Sequence, residues 1–383
     1  MKRTNSIITV LFLVFLFGMF YKGVTTLEWE KFKMLTNQNE SVLNEALDES
    51  HLFIELYGLT QRVTGQRLIE DGTPDTSVTK LDNGTLTFCG LENEYIDPTK
   101  NALKTAEFAD GIKEMDIPFL VVIAPEKIRS GTKPMPKAIH EYGNEIADRY
   151  LSVLEEKEIG YFDLRPEFNR LENYDEMFFR TDHHWKPEGA IYACKALNNL
   201  LLEDYGFKIE EEQMLEEHWK KQVYESWFLG SQGKRTGAAY AGTDDFTRYI
   251  PEFDTSFTYL IPERNMQRTG TFNDALCFSE RIEQRDWYNN NPYTYYSGGD
   301  WAYAEIINHH NPDGPRIIMI RDSFSCALTP FLALSCSELI TVDLRYYKDD
   351  LTAAIEEIRP DLVMLLYMAS TTRLENMFEF WKL

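Results

Sequence analysis

Apolar residues fall into three kinds of run along this chain. The first, Ile7 to Tyr21, is apolar on every helical face. It is broken only by Thr9 and Gly18 and bracketed by Lys2, Arg3 and Lys22. A charged start followed by an apolar stretch is the pattern of a secretory signal. The run is shorter than the ~20 residues that cross a bilayer comfortably, and Gly18-Met19-Phe20 is a poor cleavage site. The pattern predicts a signal anchor over residues 1–25 in the cell membrane, with cleavage and secretion as the alternative. Lys2 and Arg3 on the inner side put the remaining chain outside the cytoplasm.

The second kind is the short continuous run. Ile117 to Ala124 ends at Pro125, and Tyr161–Leu164, Arg316–Ile320, Glu338–Val342 and Asp361–Tyr367 have similar character. Such runs suit parallel strands covered on both faces. Helical patterns lie between and after them: about Ala138 to Lys157, Pro187 to Leu202 with Pro in the first turn, Ser323 to Leu334, and a closing helix from Thr371 to Phe380. Strands alternating with helices predict an α/β fold, a mostly parallel sheet with helices on both faces. The third kind, about residues 223–300, is rich in aromatics, Gly, Thr and Asp and has no helical period. It reads as a β/loop-rich insertion. Residues 26–84 read as a stalk or helical cap, and Lys80 to Phe88 reads as a hairpin whose Asn83-Gly84 suits a type I′ turn. The main domain is then 85–383.

Composition narrows the function. The 383 residues include 62 acidic and 39 basic side chains, a formal net charge of −23. This excludes a nucleic-acid-coating surface, which needs clustered Lys and Arg. The five cysteines include no CxxC pair, which argues against a zinc ribbon or a dense disulfide scaffold. Cys194, Cys326 and Cys336 read as buried packing. No cofactor motif is present.

Two stretches carry candidate chemistry. In Phe179-Arg-Thr-Asp-His-His-Trp-Lys-Pro-Glu-Gly-Ala190, Asp182 and His184 are two residues apart. In an extended segment they share a side, so the carboxylate can orient the imidazole as a general base. His183 is the alternative base, and an Asp capping the next helix is the bland reading. In Arg316-Ile-Ile-Met-Ile-Arg-Asp-Ser-Phe-Ser325, Ser323 follows a strand and opens a helix. It sits where α/β sites form and where backbone N–H groups stabilise an oxyanion. Alone, this serine reads as a helix cap; beside the Asp-x-His stretch it reads as a nucleophile. A third stretch, Phe228 to Gly237, offers backbone N–H groups with Lys234 and Arg235 for a phosphate or sugar, but lacks P-loop spacing. Tyr240, Trp287, Tyr288, Tyr293, Tyr295, Tyr296 and Trp301 are candidates for stacking on sugars or for a small core. A metal site on Asp182, His183 and His184, with His309 and His310, is disfavoured because adjacent side chains of an extended chain diverge.

The Asp182-His183-His184-Trp185 segment resembles the motif of the bacterial DHHW protein family. That family is similar to the SGNH-hydrolase-like domains of the alginate O-acetyltransferases AlgJ and AlgX, in which an Asp-x-His-Trp segment precedes a strand–Ser–helix segment. The resemblance spans about residues 85–383 and includes Ala124-Pro-Glu-Lys127, Gly230 to Gly237, and Tyr296 to Asp300 with Asn308. It implies an SGNH-hydrolase-like fold and a triad of Ser323, His184 and Asp182. Asn308 or Arg321 are candidate oxyanion groups, and Trp185, Lys234 and Arg235 candidate substrate contacts. The implied activity is serine-dependent O-acetyl transfer to, or acetylester hydrolysis on, a cell-envelope or exported polysaccharide. A membrane-bound O-acyltransferase is the implied partner. The alternative is a non-catalytic glycan-binding scaffold that keeps the fold.

Overall fold

A computed structural model describes residues 51–69, 77–89, 95–137 and 139–381, together with Val14, Phe17, Gly18 and Tyr21. The expected anchor and the chain up to residue 50 lie, but for those four positions, outside the described residues. Among the described residues no helix is long and apolar enough to cross a membrane.

Helix α1 (Leu52–Thr64) precedes a small antiparallel sheet of β1 (Leu68–Ile69), β2 (Ser77–Lys80) and β3 (Leu86–Cys89). Next come α2 (Thr99–Glu114), β4 (Phe119–Ala124), α3 (Gly143–Glu156), β5 (Tyr161–Asp163), α4 (Leu164–Asn169) and α5 (Pro187–Glu203). The middle of the chain forms β6 (Trp219–Phe228), α6 (Ser231–Thr236), α7 (Ala238–Ala241), β7 (Asp244–Pro251), β8 (Phe257–Ile261) and β9 (Met266–Gly270). The last part forms β10 (Tyr303–Asn308), β11 (Arg316–Arg321), α8 (Ser325–Ala333), β12 (Glu338–Val342), α9 (Leu351–Ile358) and β13 (Leu362–Met368).

The central sheet has the order β5-β4-β13-β11-β12-β10-β8-β9. From β5 to β12 the strands are parallel; β10, β8 and β9 continue the sheet antiparallel. Alternate residues of each parallel strand enter opposite cores. Val122, Ile317, Met319 and Met364 pack toward α5 and α8. Val121, Ile318, Ile320, Val363 and Leu365 pack toward α2, α3 and α9. Burial on both faces is why these strands read as unbroken apolar runs.

The aromatic stretch 223–300 is not a separate appendage, because its β8 and β9 are hydrogen-bonded into the central sheet through β10, while β6 and β7 form their own ribbon. The hairpin turn also differs from the expected type I′. Gly84 has φ +83, but Asn83 is not among the positive-φ residues. The Asn83 Oδ1 instead accepts from the N–H and hydroxyl of Thr85, and this local bond fixes the turn. In place of a closing helix there are two 3₁₀ turns, Ala369–Arg373 and Glu375–Phe378. Thr371 and Thr372 turn their hydroxyls onto the Asp322 carboxylate and the Ala369 carbonyl, interactions that compete with regular helix. Helix α3 starts at Gly143, later than Ala138, with its first N–H bound to the Glu141 carboxylate.

Helix α1 lies against α6 and α7. The Glu55 carboxylate accepts the N–H groups of Ala238 and Ala239 at 3.0 and 2.7 Å. A Cβ added at Gly58 would come within 2.2 Å of the Thr236 carbonyl oxygen, so this contact requires glycine. All five cysteines are buried thiols.

Candidate active site

The nucleophile candidate stands in a turn between β11 and α8. The Asp322 carboxylate fixes that turn, accepting the N–H of Phe324 at 3.0 Å, the N–H of Met368 at 2.8 Å and the Thr371 hydroxyl at 2.7 Å. Burial raises the Asp322 carboxyl, and these three donors act against the rise. Trp185 Nε1 donates to the Phe324 carbonyl at 2.8 Å, and the Tyr293 hydroxyl lies 2.8 Å from the carbonyls of both Ser323 and Phe324. The turn is thus held from three directions, leaving Ser323 half-buried at its apex.

The acid and base candidates come from the loop before α5. A bridge between Phe178 and Trp185 closes this loop. The Asp244 carboxylate anchors it by accepting the N–H groups of Arg180 and Thr181 and the Thr181 hydroxyl at 2.7, 2.8 and 2.6 Å. The start of α6 covers it: Gly230 N–H donates to the Thr181 hydroxyl at 2.8 Å and Ser231 N–H to Asp182 Oδ2 at 2.7 Å. A Cβ on Gly230 would fall 2.2 Å from the Asp182 Cβ, so the approach depends on glycine.

Within this frame His184 bridges the two stretches. Its Nδ1 lies 2.5 Å from Asp182 Oδ1 and its Nε2 lies 2.8 Å from Ser323 Oγ. With Nδ1 protonated toward the carboxylate, Nε2 presents its lone pair to the serine hydroxyl. The Tyr293 ring stacks on the imidazole at 3.8 Å and 13°. Burial opposes ionisation of Asp182. His184, His183 and the donated hydrogen bonds overcome it and hold the carboxyl well below its ordinary range. His183 is not joined to Ser323. Its Nδ1 lies 3.1 Å from Ser231 Oγ, and burial, helped by His184, pushes its pKa down to about 3.

The other sequence candidates separate from this centre. Asn308 lies beside the amino ends of β11 and β12, the opposite sheet edge from Ser323, because β10 runs antiparallel to β12. Its amide donates to the carbonyls of Ala333 and Leu334, both at 3.1 Å, so it closes α8 and does not face an oxyanion. Arg321 is buried and ion-paired, with Nη1 2.5 Å from Asp300 Oδ1 and Nη2 3.0 Å from the Gly299 carbonyl. Trp185 is fully buried and packs on Phe168 and Phe324, so it supports the turn and offers no substrate surface. Lys234 donates to the Asn290 carbonyl at 2.8 Å. The Arg235 guanidinium lies 5.2 Å over the Phe88 ring, which in turn is 5.8 Å from His183. Of the stacking candidates, Tyr240, Tyr293, Tyr295, Tyr296 and Trp301 are buried.

The Ser323 N–H meets no acceptor among the described residues, whereas that of Phe324 is bound to Asp322. It is the open donor beside the nucleophile. Ligand atoms of Asp182, His183 and His184 lie within 4.8 Å of one another. Both His184 nitrogens are already engaged, Nδ1 with Asp182 and Nε2 with the Ser323 hydroxyl, so a metal ligated by His184 would break one bond of the triad, and the donor set fits a hydrogen-bonded triad better. The roles of three structural contributors were not read from the sequence. Tyr293 was a stacking candidate and Lys127 part of the resembling Ala124–Lys127 segment, but neither pointed to the triad; Asp244 carried no signal. Tyr293 and Asp244 act across 109 and 62 residues of chain from His184 and Asp182 respectively.

Residues 93–248 match the family model described as "SGNH hydrolase-like domain, acetyltransferase AlgX". Over those residues the chain is similar to an SGNH hydrolase-like domain. The match includes Asp182 and His184 and ends before Ser323, which tertiary structure brings to them. The fold is also similar to that of Bacillus cereus PatB1, solved with a sulfonyl adduct. That structure has a TM-score of 0.67 at 19% identity, covering 81% of this chain and 100% of PatB1. A DHHW family protein from Eubacterium siraeum gives 0.58 at 21% identity, covering 81% of this chain and 95% of its own. No curated protein matches this chain.

Proposed function

We propose that this protein is an extracytoplasmic serine-dependent O-acetyltransferase acting on a cell-envelope or exported polysaccharide. The observation that carries the reading is the Ser323–His184–Asp182 arrangement, with the 2.8 Å contact between Ser323 Oγ and His184 Nε2. Ser323 Oγ attacks the acetyl carbonyl carbon while His184 Nε2 takes the hydroxyl proton. The oxyanion meets the Ser323 N–H. Collapse breaks the bond to the donor's leaving atom, which takes the proton from His184. A sugar hydroxyl then gives its proton to His184 and attacks the acetyl-serine, and Ser323 Oγ leaves with that proton. Asp182 stays ionised throughout and holds the imidazole tautomer. Water in place of the sugar makes the same cycle an acetylesterase. The apolar run at residues 7–21 would tether the domain beside a membrane-bound O-acyltransferase that supplies acetyl groups.

The rival reading, a non-catalytic glycan-binding scaffold, draws on the aromatic rings between Tyr240 and Trp301. The burial of five of its seven candidate rings weakens it. The test is intact mass of the full chain after 4-nitrophenyl acetate or a sulfonyl fluoride. One adduct on Ser323, absent from Ser323→Ala, is expected. Equal labelling of both proteins defeats the proposal.

A further inference from the structure

Lys127 follows β4 and is 6% exposed, yet it forms no ion pair at contact distance among the described residues. Its ammonium is surrounded by acceptors from three parts of the fold. Nζ donates to the Asp182 carbonyl at 2.7 Å, the Arg180 carbonyl at 3.1 Å, the Gln232 Oε1 at 3.2 Å, and the Leu86 carbonyl. These belong to the catalytic loop, to α6 and to β3. Burying an ammonium is costly unless such bonds compensate it. An ammonium has three protons to give to this ring of oxygens. A neutral amine has two and turns a lone pair toward a carbonyl.

We infer that Lys127 is a positioning residue: its protonated ammonium holds the Asp182 backbone, and through it the Asp182–His184 pair, in line with Ser323, so acyl transfer requires the proton on Lys127. This rests on the acyl-transfer reading above. The charged groups facing Lys127 are Asp182, His183 and Arg180 on the catalytic loop and Asp244 on β7. Burial pushes Lys127 down to about 7, against the pull of Asp244 and Asp182 and with the push of Arg180. The proton therefore leaves within the pH range in which a histidine base works. Acyl transfer then has an alkaline limit that does not belong to the triad. Gln232 supplies the independent handle. Its Nε2 is buried without a partner while its Oε1 faces Lys127, so Gln232→Glu keeps the acceptor, breaks no bond and adds a negative charge beside the ammonium.

The experiment follows the rate of Ser323 sulfonylation against pH in the full-length wild type, Lys127→Met and Gln232→Glu. The wild-type rate is expected to fall as pH rises through about 7. Lys127→Met is expected to lose about 10²-fold at pH 6 through misalignment and to show no falling limb. Gln232→Glu is expected to move the limb upward by about one pH unit. A limb that Gln232→Glu leaves in place, or that persists in Lys127→Met, overturns the inference even if one variant is poorly folded. A wild type that takes no label at any pH defeats the acyl-transfer reading instead. The far-downfield His184 Nδ1–H resonance then decides the positioning role: a loss above neutral pH that Gln232→Glu displaces supports it, and a resonance unmoved by that substitution overturns it.

Discussion

The two ends of helix α8 pose the same physical problem and solve it differently. Every helix leaves N–H groups open at its start and carbonyls open at its finish. At the finish, Asn308 donates to Ala333 and Leu334, and Asn311 adds a longer bond to Leu334 at 3.4 Å. At the start, Asp322 satisfies Phe324 N–H, and the Ser323 N–H stays open beside a hydroxyl already bonded to an imidazole. The closed end is structural. The incomplete end, with its surroundings held fixed, is where reaction chemistry fits. A buried polar residue at a sheet edge therefore argues for a site only when the bonding around it is deliberately unfinished.

Substitutions that exchange activity for stability test this contrast. Ser323→Ala should abolish acyl-enzyme formation, a loss of about 10⁶-fold in turnover where the hydrolysis of 4-nitrophenyl acetate is measurable, while the melting curve stays in place. Asp182→Asn should cost about 10⁴-fold, because an amide favours the wrong imidazole tautomer; a loss under tenfold would remove Asp182 from the triad. Tyr293→Phe keeps the stacked ring and deletes the hydroxyl at the Ser323 and Phe324 carbonyls. Its expected effect is about tenfold in turnover, with about 1 kcal/mol in urea unfolding. Asn308→Ala, at the closed end, should cost about 1–3 kcal/mol in the same unfolding measurement by removing two hydrogen bonds and leaving the Ala333 and Leu334 carbonyls only their longer ones from Cys336 N–H and Asn311. The folded variant should keep the wild-type rate with 4-nitrophenyl acetate. If Asn308→Ala slowed turnover as much as Tyr293→Phe without destabilising the chain, the contrast between the ends would collapse.

What could be read from the sequence follows the same division. The strands β4, β11, β12 and β13 were visible because burial on both faces leaves an unbroken apolar run. Asp182, His184 and Ser323 were visible because local spacing and strand-end position carry their geometry. Strand β10 was not visible: YAEIIN is short and alternating, and the Asn311-Pro-Asp-Gly314 turn that follows does not show which strand it pairs with. Its antiparallel direction is what carries Asn308 to the far edge. Arg321 looked like an oxyanion group because nothing in sequence shows that Asp300 lies against it. Trp185 looked like a substrate contact for a similar reason, since its partner carbonyl on Phe324 lies 139 residues away. Pairings of that kind appear only once the sheet has assembled.

The buried cysteines have a practical consequence. Burial pushes the thiol of Cys89 up to about 11 and those of Cys194 and Cys277 up to about 12; Cys326 and Cys336 shift in the same direction. Folded molecules therefore carry almost no thiolate at neutral pH, and thiolate is the form that reacts. An alkylating reagent registers a copy of this protein chiefly when it opens. The chain thus contains its own counter of unfolded copies, readable by mass in steps of one adduct and requiring no added label.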